Sequence, residues 1–100
     1  MSLPGEILVV IDADMEDIVP GFLVNQKKEA DKIEQALIAE DFEVVDRIAH
    51  NLKGLGAGYG FQGITDIGIK MREASQQKTE LEILLAELRG YLNKVKISYE

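Results

Sequence analysis

Apolar residues recur at helical spacing in four successive stretches of the chain. From Pro20 to about Ala39, Phe22, Leu23, Ala30, Ile33, Leu37 and Ile38 fall on one side of a helix, while Gln26, Lys27, Lys28, Asp31, Lys32, Glu34 and Gln35 fall mostly on the other. Pro20 suits a first turn, where its missing N–H is not needed. The second stretch, Asp41 to Leu55, places Phe42, Val44, Val45, Ile48, Ala49, Leu52 and Leu55 on one continuous arc at roughly 100° per residue. Asp41 is a good N-cap for it. The third runs from Phe61 to about Gln76 on Phe61, Ile64, Ile67, Gly68, Met71 and Ala74. The fourth carries Leu81, Leu84, Leu85, Leu88, Tyr91, Leu92 and Val95, and Thr79-Glu-Leu-Glu82 before it fits a capping box. Short connections make successive helices antiparallel neighbours. The predicted fold is therefore all-α, an up-down antiparallel four-helix bundle within residues 13–100, with a short extra N-terminal helix or arm.

The start of the chain follows a different pattern. Ile7-Leu-Val-Val-Ile11 is a short apolar run that reads as extended, and Ala13 to Val19 as a short helix with Met15, Ile18 and Val19 inward. No strand-helix unit repeats downstream, so residues 1–12 are expected to form an arm on the bundle or a linker. Met1-Ser2-Leu3 reads as an appended start, which would make the domain a piece cut from a longer protein.

The polar side of the second helix holds the sole histidine. His50 falls about 80° past the edge of the apolar arc marked by Phe42, where a buried core histidine would not be. Lys53 and Gly54 follow at three and four residues and share its face. Gly54, Gly56, Gly58 and Gly60 then come every second residue, each costing about 0.5–1 kcal/mol against alanine inside a helix. Gly54, one turn beyond His50, leaves the imidazole accessible. Gly56 to Gly60 are expected to end the helix in a tight turn, with Gly56 and Gly58 as turn formers and Phe61 packing at the bundle end. Gly68 predicts a close approach between the third helix and the histidine helix.

Composition removes several chemistries. Of 100 residues, 46% are hydrophobic and 29% charged, which suits one soluble domain. Without cysteine there is no disulfide, thiol nucleophile or thiolate site, and one histidine makes no His-rich metal cluster. A net charge of -7 argues against nucleic acid as a partner. No apolar run approaches the roughly 18 residues of a membrane span, and the start has no secretory pattern, so a cytoplasmic location is expected.

A lone exposed histidine is ordinarily just a surface residue, but here its neighbours are in register. His50-x-x-Lys53-Gly54 with Gly60-Phe61 ten and eleven residues after the histidine resembles the signature of histidine-containing phosphotransfer (HPt) domains of bacterial phosphorelays. Ile18-Val-Pro-Gly-Phe-Leu23, Glu40-Asp41-Phe42 and Ile67-Gly68 extend the resemblance to about residues 12–97. It implies that His50 accepts a phosphoryl group from a receiver-domain aspartate and passes it on. Lys53 would add positive charge beside the phosphoryl oxygens, and Gly54 would leave room for the partner. The expected partners are a response-regulator receiver domain, a histidine kinase, or both, and the expected state is a monomer. The metal would be magnesium on the receiver, with none bound by this chain. No kinase domain fits alongside the bundle, so the chain is expected to be a phosphocarrier rather than an enzyme.

At Arg72 the chain departs from the resemblance, because family members often carry Gln or Glu there to accept a hydrogen bond from the imidazole. Arginine cannot accept. The expectation is that Arg72 reaches the phosphoryl group or pairs with a carboxylate, and that a backbone carbonyl or water orients His50. Gly60 and Gly68 count as supporting positions. Two rival readings remain: a docking module that binds receivers or kinases without being phosphorylated, and the substrate domain of a chemotaxis-type kinase.

Overall fold

The computed structural model describes residues 5–100, so the expectation for Met1 to Leu3 lies outside the described residues. Four helices form the bundle: α1 (Val19–Ile38), α2 (Phe42–Gly58), α3 (Gln62–Gln77) and α4 (Leu81–Lys94). Helix α2 packs most extensively on α3, α3 also on α4, and α1 bridges α2 and α4. This is the arrangement that short antiparallel connections produce. The core is a continuous cluster in which Val19, Ile33, Val45, Leu52, Phe61, Ile64, Met71 and Leu88 are almost fully enclosed.

Several boundaries differ from those the periodicity predicts. Ala13–Met15 is a single 3-10 turn, capped by the Asp12 carboxylate accepting from Asp14 N–H at 2.9 Å. Ile18 faces outward, and α1 begins at Val19 with Pro20 in its first turn. In α1, Gln26 is buried while Ile38 is exposed. The stripe Phe22, Gln26, Ala30, Ile33 carries Gln26 inward, and Ile38 is the last residue of the helix, off that stripe. The capping box at Thr79 does not form: Lys78 (φ 55°) and Glu80 (φ 60°) are both left-handed, and Thr79 N–H donates to Ala74 O, closing α3 instead. No side chain caps α4.

Helix α4 also ends one residue before Val95. Val95–Tyr99 is a strand, β2, paired in parallel with β1 (Ile7–Ile11) in the register Ile7 to Val95 through Ile11 to Tyr99. The N-terminal arm is therefore laid on the bundle and clamped there by the last residues of the chain. Side chains alternate as a one-faced ladder requires, with Leu8 and Val10 exposed and Ile11 buried. Ile11 reaches Gly60, where an added Cβ would come within 3.3 Å of its Cγ1. On the other side of the same turn, Phe22 stacks on Tyr59 (centroids 4.2 Å apart) and Phe61 (5.7 Å), which ties the start of α1 to the end of the histidine helix.

Candidate functional site

The candidate site is a solvent-facing stretch of α2 held in place by glycine contacts on its inner side. Asp41 caps the helix, its carboxylate accepting from Val44 N–H at 3.4 Å. Helix α2 does not stop at Leu55 but continues through Gly58, so Gly54, Gly56 and Gly58 are all helical; Leu55, expected on the apolar arc, is 43% exposed. These glycines play different parts. At Gly54 and Gly58 an added Cβ would meet nothing within 4 Å, whereas at Gly56 it would lie 2.6 Å from the backbone N of Thr65 and 2.8 Å from Phe61 O. Gly56 is thus a packing residue rather than a turn former. The turn itself falls at Gly60, whose φ of +90° only glycine adopts easily.

The close approach at Gly56 lets the Thr65 side chain enter the α2 backbone. Its hydroxyl accepts from Ala57 N–H at 2.7 Å and donates to Lys53 O at 2.9 Å, joining two groups that stand four residues apart in the helix. The second contact between α2 and α3 is at Gly68, where a Cβ would sit 2.6 Å from Lys53 N and 2.9 Å from Ala49 O. Both contacts bracket the turn that carries His50, Lys53 and Gly54, and they fix it by backbone-level packing. Thr65→Val should leave Lys53 O and Ala57 N–H without this partner. The expected loss is about 1–3 kcal/mol in urea unfolding with the fold retained.

His50 lies at the midpoint of α2, far from fraying ends, and is exposed. Lys53 and Gly54 are exposed on the same face. A surface depression lined by Asp41, Phe42, Asp46, Ser75 and Lys78 takes in Asp46 but not His50, which stands on the open surface of the helix. An imidazole in that setting can react with a group brought to it by another protein. The arrangement does not enclose a small substrate.

Arg72, from α3, reaches the ring. Its Nη1 is 3.1 Å from His50 Nδ1, and its Nε donates to Asp46 Oδ1 at 3.4 Å. Ser75 Oγ lies 3.1 Å from the same Asp46 oxygen. The carboxylate pairing expected for Arg72 is present, but no backbone carbonyl takes the orienting role at Nδ1, because the guanidinium occupies that position. Asp46 and Ser75 escaped the sequence reading. Asp46 is four residues before His50 on the same face, and that spacing was the available signal.

The described residues thus form a four-helix bundle with an exposed histidine at the middle of its second helix. A family model, the Hpt domain, matches residues 17–97, and the chain belongs to that family. Comparison with curated proteins and with solved structures gave no match. Hpt domains are phosphocarrier modules of two-component signalling that work with receiver and kinase domains; they are not kinases. Among the described residues, no helix is long and apolar enough to cross a membrane.

Proposed function

We propose that this chain is a phosphorelay intermediate in which His50 takes a phosphoryl group from a receiver aspartate and returns it to another. The observation that carries the reading is the exposed imidazole at the rigid centre of α2 within an Hpt-family bundle. A neutral imidazole offers a good nitrogen nucleophile near neutral pH, and phosphoryl transfer asks the protein mainly for alignment and charge stabilisation. Lys53, one turn along the same face, supplies a positive charge beside the incoming oxygens. Gly54, with open space where a side chain would be, leaves the approach clear. Magnesium belongs to the receiver in this scheme.

The test is incubation with small-molecule phosphodonors and with phosphorylated receivers, followed by mass spectrometry of the acid-labile adduct. An adduct mapped to His50 supports the relay reading. Its absence from a folded protein that still binds receivers would favour the docking module.

A further inference from the structure

The contact between Arg72 and His50 has a chemical consequence that bears on when the site can react. A guanidinium carries five N–H donors and no acceptor, so at 3.1 Å from Arg72 Nη1 the Nδ1 of His50 must present its lone pair. A neutral imidazole has one ring proton, which this contact assigns to Nε2. Nε2 is then an N–H donor without a free lone pair for attack on phosphorus. Asp46 steadies the arrangement by accepting from Arg72 Nε, and its Oδ1 also receives Ser75 Oγ.

We propose that Arg72 is a gate on Nδ1 of His50, and that phosphoryl transfer in either direction requires its guanidinium to leave the ring. This rests on His50 being the phosphoacceptor. In the forward step the Nε2 lone pair forms the N–P bond while the bond from phosphorus to the aspartate oxygen breaks, its electron pair returning to the carboxylate. That step needs the ring proton on Nδ1, from which it departs to solvent as the phosphoimidazole forms. In the return step the N–P bond breaks with its electrons going to Nε2, the phosphoryl group passes to an aspartate oxygen, and Nδ1 takes a proton so that neutral imidazole leaves. Arg72 on Nδ1 opposes both steps. It holds the resting proton on Nε2, and in the phosphorylated form it occupies the lone pair that the incoming proton needs. The guanidinium cannot supply that proton itself, because it stays protonated throughout. Arg72 is thus a positioning residue that slows uptake and preserves the phosphohistidine once formed. Its side chain is 34% exposed, so the ring can be released without opening the core.

The test combines a readout of the ring with a readout of transfer. Two-bond proton–nitrogen correlation spectra of the unphosphorylated protein, recorded where the imidazole is neutral, should show the proton on Nε2. In Arg72→Gln, whose amide oxygen can accept from Nδ1–H, the population should move toward the Nδ1–H form. The same variant should take up phosphoryl from a small-molecule donor about tenfold faster and lose it by hydrolysis about tenfold faster, the scale of one hydrogen bond to a charged group. Asp46→Asn, which keeps the arginine but removes its anchor, should move all three readouts the same way by less. A wild-type ring protonated on Nδ1, or uptake and hydrolysis equal to or slower than wild type in Arg72→Gln, would overturn the gate while leaving His50 as the acceptor. If the tautomer shifts as expected but no donor phosphorylates either protein, the relay reading fails and the gate falls with it.

Discussion

His50→Gln is expected to lose all phosphoryl uptake while keeping its fold and its affinity for receivers. The loss should be complete because the chain has no other histidine and no cysteine to take over as a nitrogen or sulfur acceptor. Stability should change little, within about 0.5 kcal/mol, since His50 is exposed, lies outside the core and has Arg72 as its side-chain hydrogen-bond partner. Glutamine suits a helix interior at least as well as histidine, and its amide oxygen can accept from Arg72, so the pairing with Asp46 is retained. Incorporation of acid-labile phosphate and urea unfolding measure the two halves separately. A variant that still takes up acid-labile phosphate would disprove the assignment of His50. A variant that is unreactive and also fails to bind receivers would show that the histidine contributes to docking as well as to chemistry.

The features legible in the sequence are those that depend on one helix at a time. His50 stands off the apolar arc of α2, which predicts its exposure; Gly68 weakens an otherwise good helix, which predicts a close approach by the histidine helix, and α2 does pass so near that an added Cβ would meet Lys53 N and Ala49 O. Where two patterns overlap, the reading failed. Val95 continues the series Leu88, Leu92 at helical spacing, yet Val-Lys-Ile-Ser-Tyr also alternates with the period of a strand. The strand prevails because β1, from the opposite end of the chain, is there to pair with it. Helix propensity counts glycine only as a penalty and so predicts a turn at Gly56. Its packing against Thr65 N needs knowledge of which helix lies alongside. Arg72 shows the same limit within the site: its donor-only chemistry could be read from the residue type, but its position on Nδ1 depends on the packing of α3 against α2.

Gly68→Ala should be among the most destabilising single-methyl changes in the domain, at about 3 kcal/mol. The added Cβ would stand 2.6 Å from Lys53 N, 2.9 Å from Ala49 O and 3.1 Å from Leu52 Cβ. Two of these are backbone atoms of a helix, which cannot rotate away as a side-chain tip can, so α2 and α3 must separate along their largest interface. Overpacking of a well-filled interior costs about 1–3 kcal/mol, and a clash with fixed backbone belongs at the upper end. A methyl added at Gly54 makes the informative contrast, since it meets nothing within 4 Å and replaces a helical glycine. Gly54→Ala is expected to gain about 0.5–1 kcal/mol. If the roles are as proposed, the two variants also part company in function. Gly68→Ala shifts the turn carrying His50 and Lys53, so transfer should fall together with stability. Gly54→Ala should be more stable yet slower with a receiver and unchanged with a small-molecule donor, because only the larger partner needs the space beside the ring. Equal stability losses at the two positions in chemical denaturation would show that glycine's conformational freedom, rather than the approach of α3, governs this part of the helix.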